Sequence, residues 1–238
     1  MEHFDLYTIK ARLFPAIIAL FPAVALLVGV LSLSEFDFGQ ILVAIGLAVL
    51  FSIFSGVARR AGKRVERKMY RDNGGYPTFD MLTYDDRTFS DQSKARYLNF
   101  LGSKIGTAPP TMQDALADPA AARDFYNRAG AWLRENTRDV AAFRVLFDEN
   151  ITYGFYRNLL GLKPAAVVLN VLVSLICGAA LAGYDIPLID REGNLRYVLG
   201  AALLHLGCLV FFVNEQVVRQ ASHQYGRQLL LACDALGA

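Results

Sequence analysis

Apolar and polar positions in this chain are gathered into long blocks rather than alternated. Four blocks of about twenty residues carry no charge: Leu13 to Leu33, Gly39 to Ala58, Pro164 to Tyr184 and Tyr197 to Asn214. At 1.5 Å of rise per residue, about 20 residues of helix cover the roughly 30 Å hydrocarbon core of a bilayer. The pattern predicts four transmembrane helices, the fourth being the shortest. The first block exceeds the apolar region of a usual signal peptide, follows Glu2 and Asp5, and lacks a small-residue cleavage site, so it is expected to be retained.

Between the second and third blocks the signals are those of helix starts and stops. Arg59, Arg60, Lys63, Arg64, Arg67, Lys68 and Arg71 follow the second block with only Glu66 opposing. Arg60, Arg64, Arg67 and Arg71 share one face by helical spacing, so the second span is expected to leave the membrane as helix. Asn73-Gly74-Gly75 and Pro77 then stop it. Ser90 reads as the cap of a helix toward Leu101, and Pro109-Pro110 breaks the chain. Asp118-Pro119 opens a helix through about Asn136. A further helix from about Val140 to Leu160 leads to Gly161 and Pro164, where the third span begins. Gly74 to Phe89 carries a weak hairpin signal. After the fourth span the helix is expected to continue through Cys233, because only Gly226 weakens it.

The expected fold is therefore all-α and integral to the membrane. It comprises an N-terminal transmembrane pair (1–58), a basic helical cytoplasmic region (59–163), a C-terminal transmembrane pair (164–214) and a cytoplasmic tail helix (215–238).

The charges set the orientation. The turn after the first span carries Glu35 and Asp37, and the turn after the third carries Asp185, Asp190 and Glu192 against Arg191 and Arg196. The other 22 of 24 basic residues lie on the opposite side, with 17 acidic ones. By the positive-inside rule both termini and the long central segment are cytoplasmic, at an inner (plasma) membrane. The overall charge of +2 hides this sorting. Cys177, Cys208 and Cys233 are scattered, which argues against a disulfide framework or a zinc site. No internal repeat is visible.

Several positions inside or beside the spans can carry function. Asn170 and Ser174 lie one turn apart on the third span, followed by Gly178, and a buried amide must find a partner or water. A pore lining and an interhelical hydrogen bond both fit. His205 is the one strongly ionisable residue near the centre of a span, which makes it a functional candidate or a neutral histidine bonded to a neighbouring helix. Phe211 and Phe212 lie nearer the cytoplasm, and a ring of Phe212 in an oligomer is suited to closing a pore by dewetting. Gln216, Gln220, Gln224 and Gln228 recur every four residues and drift about 40° per step. They suit a polar channel, a ligand contact or plain solvent exposure. Ala44, Ala48, Ser52 and Gly56 form a small-residue stripe for helix packing within or between protomers. Pro15 and Pro22 are expected to bend the first span.

Motifs for catalysis are missing. Gly62-Lys63 superficially resembles a phosphate loop, but the glycine spacing is wrong and Arg64 stands where Ser or Thr is required. No GxSxG, HExxH or paired-cysteine motif occurs, so no enzyme activity, cofactor or metal is expected. The central helices interleave arginine with Phe125, Tyr126, Trp132, Phe147, Tyr153, Phe155 and Tyr156. Cationic surfaces with aromatic platforms suit single-stranded nucleic acid. The same residues also suit an aromatic core with arginines paired to Asp124, Glu135, Asp139, Asp148 and Glu149. Arg59 and Arg60 are placed for anionic lipid headgroups. Arg64, Arg67, Lys68, Arg71, Arg134, Arg138 and Arg157 are the candidate phosphate contacts. Asn170, Ser174, His205, Phe212, Gln216 and Gln220 are the candidate pore or gate.

This layout, two spans, a basic helical insert with the run Arg59 to Arg71, then two spans, resembles the small four-span membrane effectors of bacterial anti-phage operons. It is most similar to the Hailong-type effector, with a Kiwa-type membrane subunit in the same architectural class. The resemblance implies a homo-oligomeric ion channel, a tetramer by analogy, controlled by a single-stranded oligonucleotide or nucleotide ligand that a partner nucleotidyltransferase makes. A membrane scaffold or sensor that docks a cytoplasmic partner protein is the competing reading. The segment from Leu146 to Asn158 is similar to segments of bacterial membrane proteins but transfers no chemistry.

Overall fold

The computed structural model describes residues 6–30, 38–71, 80–187 and 194–238, with the side chains of 29, 30, 38–45 and 48 set aside. Every regular element among the described residues is helical. The N-terminal run consists of α1 (Leu6–Thr8), a π-helical turn (Ile9–Leu13) and α2 (Phe14–Val30). Then come α3 (Phe38–Met69), a 3₁₀ turn (Asp80–Leu82), α4 (Asp91–Ile105), α5 (Met112–Ala117) and α6 (Pro119–Asn136). The chain ends with α7 (Arg144–Leu181), α8 (Leu195–Phe212) and α9 (Glu215–Ala235). Residues Met1–Val65 with Gly154–Val217 form one compact unit, and Glu66–Tyr153 with Val218–Ala238 form another.

Among the described residues three helices are long and apolar enough to cross a membrane: Leu6–Val28, Arg144–Leu181 and Leu195–Phe212. Only 33%, 28% and 22% of their apolar windows are buried. Large side chains such as Leu175, Leu204, Phe211 and Phe212 are mostly exposed. An apolar surface this extensive is unfavourable in water and ordinary in lipid. The expected second span, Gly39 to Ala58, is helical within α3. The side chains of 39–45 and 48 lie outside the described residues, and among the described residues three helices are long and apolar enough to span where the sequence suggested four. Glu35, Asp37, Asp190, Arg191 and Glu192 also lie outside the described residues, as do the side chains of Ala44 and Ala48 of the small-residue stripe.

The first unit is held by small apolar contacts: Ala16 and Ala19 of α2, Ala58 of α3, Leu159, Leu162 and Ala166 of α7, and Leu209 and Val213 at the end of α8 form one cluster. A second cluster joins Val173, Cys177 and Ala180 of α7 to Leu195, Val198 and Ala202 of α8.

The second unit has a larger core. Met81 and Leu82 of the 3₁₀ turn pack with Tyr97, Leu98 and Leu101 of α4, Phe125, Tyr126 and Leu133 of α6, Leu146 of α7, and Leu229, Leu230 and Cys233 of α9. Its helix starts follow the caps. Ser90 Oγ accepts from Ser93 N–H at 3.2 Å, and Gly106, at φ 64°, ends α4 in the left-handed region that favours glycine. Asp118 accepts from the N–H groups of Ala120 and Ala121 with Pro119 at the first position of α6.

Several boundaries differ from expectation. α7 runs unbroken through Gly161 and Pro164. Packing of Leu159, Leu162 and Ala166 on both sides of the proline holds the helix together, so the lost N–H does not end it. α8 and α9 are separate, where one continuous helix was expected. The chain leaves helical geometry at Val213 (φ −99°, ψ 96°), and Asn214 Oδ1 accepts from Val217 N–H at 3.1 Å to start α9. α5 was not foreseen. It is set by a capping box in which Thr111 Oγ1 accepts from Asp114 N–H and the Asp114 carboxylate accepts from Thr111 N–H. Of the weak hairpin, residues 74–79 lie outside the described residues, and Asp80–Leu82 is a 3₁₀ turn.

Candidate functional site

The tightest junction of the first unit joins the N-terminal run, α3 and α7. Pro15 has no N–H for the carbonyl of Ala11, four residues back, and the Asn158 amide donates to that oxygen at 2.6 Å. Asn158 is fully buried and packs directly on the Cα of Gly62. One turn later, a Cβ built on Gly161 would lie 2.6 Å from the Ala61 carbonyl carbon and 2.7 Å from Gly62 N. One turn earlier, a Cβ on Gly154 would lie 2.7 Å from Tyr7 Oη and 3.0 Å from Ala11 Cβ. Gly154, Asn158 and Gly161 thus share one face of α7 and admit two neighbouring backbones. The spacing was present in the segment ending at Asn158, but nothing in sequence alone said what the face would meet. Gly62, within the phosphate-loop look-alike, is a packing glycine.

Deeper in the spans, Asn170 is fully buried on α7 and donates to the Ala166 carbonyl at 2.8 Å. Its amide lies 3.1 Å from His205 Nδ1 of α8, and the Phe21 ring of α2 meets the imidazole edge-on at 5.4 Å. Asn170 and His205 therefore bond each other within one protomer. The Ser174 hydroxyl and His205 Nε2 are buried without a hydrogen bond among the described residues. Phe212 is 71% exposed on α8, and Gln216 and Gln220 are exposed on α9.

At the C-terminal end of α8, Lys163 Nζ donates to the carbonyls of Val210 at 3.2 Å and Val213 at 2.7 Å. A cation on the last carbonyls of a helix both satisfies them and complements the helix dipole.

The basic candidates divide between the units. Arg64 is exposed on α3 in the first unit, whereas Arg157, also there, is 5% exposed and so sits in the packing rather than on the surface. Arg67, Lys68 and Arg71 are exposed in the second unit. The buried carboxylate of Glu66, beside them, accepts from Tyr153 Oη at 3.0 Å, and the Tyr153 ring stacks on Tyr225 at 6.0 Å. Arg134 is half-buried, and exposed Arg138 pairs with Glu135 at 2.6 Å. Of the interleaved aromatics, Phe125, Tyr126 and Tyr153 are buried in the core, where they do not offer a face to a base. Arg144 pairs with Asp148 at 3.2 Å. Exposed ion pairs of this kind contribute about 0–1 kcal/mol. Among the described residues no cluster of His, Cys, Asp and Glu is arranged to hold a metal ion.

No protein-family model, curated protein or solved structure matches this chain.

Proposed function

We propose that the chain is the subunit of a homo-oligomeric, four-span channel effector of bacterial anti-phage defence. Its termini lie on the cytoplasmic side of the inner membrane. A single-stranded oligonucleotide or nucleotide, made by a nucleotidyltransferase partner, controls it at the basic stretch of α3 and dissipates the membrane potential by opening it. The observation that carries this reading is α3 itself: an apolar segment and the exposed cations Arg64, Arg67 and Lys68 lie on one uninterrupted helix, with exposed Arg71 in the turn just past its end at Met69. Phosphates bound there bear on a membrane segment without an intervening linker, and they shift the channel only by binding its open and closed states unequally. Gly56 supports assembly between copies, since a Cβ there would meet only the Arg60 side chain, at 3.8 Å. Exposed Phe212 is available to a gate formed by several subunits.

The second reading, a membrane scaffold that docks a partner protein, is favoured by the Asn170–His205 pair, whose polar groups are turned on each other rather than on a path. Ion flux through liposomes containing the purified chain separates the two, with and without short single-stranded oligonucleotides. The channel reading expects flux that responds to the oligonucleotide and changes in Phe212→Ala. It also expects Arg64→Glu with Arg67→Glu to weaken binding and flatten its salt dependence. No flux from folded oligomer under any condition assigns the chain to the scaffold class.

A further inference from the structure

The second unit contains a cavity of about 230 Å³ between α5, the start of α6 and the loop after the 3₁₀ turn. Its floor is apolar, formed by Met112, Ala115 and Leu116 of α5 with Pro119 and Ala122 of α6. Drug-sized sites run from about 300 to 1,000 Å³, so the occupant is smaller than these. The wall opposite the floor is braced. Tyr84 Oη donates to the Pro110 carbonyl at 2.9 Å, and buried Lys94 donates to the carbonyls of Thr83, at 2.8 Å, and Asp86. Lys94 thereby ties down the backbone on both sides of Tyr84-Asp85.

Three charged residues line this cavity, and two of them, of opposite sign, are Asp85 on the braced loop and Arg123 on α6. Neither forms an ion pair or hydrogen bond with the other or with any described residue. Asp80 also lines the cavity but interacts elsewhere, with Tyr70 among others. A simple cation in the cavity would face Arg123 as well as Asp85, and a simple anion would face Asp85 as well as Arg123. A ligand bearing both charges satisfies both groups, and an apolar body covers the floor.

The geometry points to a binding site for a small zwitterion, an α-amino acid with an apolar side chain. Its carboxylate is held by Arg123, its ammonium by Asp85, and its side chain by Leu116 and Ala122. Such a site gives the second unit a metabolite input that is separate from the basic stretch of α3 and independent of whether the spans conduct ions.

The test is equilibrium binding of labelled L-leucine to the full chain in nanodiscs, with two competitors of similar shape. One is 4-methylpentanoate, which lacks the ammonium, and the other is 3-methylbutylamine, which lacks the carboxylate. Saturable binding is expected, with each competitor weaker than unlabelled leucine by about tenfold or more. Arg123→Gln and Asp85→Asn are each expected to weaken binding by about tenfold. Both side chains are exposed and make no bonds among the described residues, so the unfolding temperature is expected to hold. Leu116→Asp, at a side chain 73% exposed, puts a charge on the apolar floor and is expected to abolish binding. Absence of saturable binding, equal competition by either singly charged analogue, or binding indifferent to these three variants overturns the assignment.

Discussion

Replacing Gly161 by alanine tests whether α3 and α7 meet backbone to backbone. The added Cβ would lie 2.6 Å from the Ala61 carbonyl carbon, 2.7 Å from Gly62 N and 2.9 Å from the Ala61 carbonyl oxygen. Ordinary Cβ contacts begin near 3.4 Å. Every obstructing atom belongs to the backbone, so no rotamer change relieves the clash and the helices must separate. Overpacking of this kind costs about 1–3 kcal/mol, and parting the two helices also loosens Asn158 on Gly62. Against this, alanine in place of glycine within a helix gains about 0.5–1 kcal/mol.

The net expectation is a loss of about 1 kcal/mol, which for a chain of this length lowers the unfolding temperature by about 2–4 °C. Gly178→Ala is the matched control on the same helix, because a Cβ there meets nothing within 4 Å. Only the propensity gain should remain, leaving its unfolding temperature unchanged or up to about 4 °C higher. Thermal unfolding in one detergent, followed by size-exclusion fluorescence, compares the two directly. Equal shifts for both variants would refute the close crossing.

The other expectations use the same preparation. Asn158→Asp keeps the shape but puts an acceptor against the Ala11 carbonyl, so it should destabilise more than Asn158→Ala, whose cost is about 1–3 kcal/mol; the reverse order of unfolding temperatures would deny the amide its donor role. Lys163→Met removes both bonds to the end of α8 and should cost about 1–2 kcal/mol, with faster hydrogen exchange confined to residues 210–217. Burial first, and then the neighbouring Asp234 carboxylate, push the Cys233 thiol up to about 12 from an ordinary 9.0. The folded state therefore disfavours the thiolate, so the stability of the neutral form is complete below pH 9.0 and drains away as pH rises toward about 12. Burial also raises Tyr97 and Tyr126, so the thiol's share is the difference in alkaline unfolding between the parent and Cys233→Ala. If the two chains lose stability with identical pH slopes, the thiol has no part in it.

What could be read from sequence was local. Ser90 and Asp118-Pro119 each satisfy the N–H groups beside them, so the starts of α4 and α6 fell where those residues placed them. The basic run after Ala58 continues α3 because nothing between Ala58 and Met69 offers the backbone an alternative to helix. The membrane character of α2, α7 and α8 was equally plain, since burial in lipid needs only composition and length. The α8–α9 break was hidden for the complementary reason. Its cause is shared between Asn214, a residue also found inside helices, and Lys163, 51 positions earlier, whose ammonium takes up the carbonyls that a continuing helix would have used.

The same distinction governs the candidate sites. Asn170 and His205 were identifiable singly, because polar groups in an apolar block stand out, but their pairing requires the register of α7 against α8. The π-helical turn, Pro15, Asn158, Gly62 and Gly161 form a still longer chain of dependence. Pro15 leaves the Ala11 carbonyl without an N–H four residues on, Asn158 reaches that oxygen only from a backbone as close as Gly62 permits, and Gly161 repeats the close approach one turn later. A membrane core has little hydrophobic force with which to hold helices together, so contact distance and hydrogen bonding decide their association. Each member of this junction is an ordinary residue by itself: a proline near a helix start, an amide beside an arginine, two glycines 99 positions apart. Their meaning arises only where three segments converge, which places this close junction immediately before Lys63 and Arg64, where the proposed ligand-sensing stretch of α3 begins.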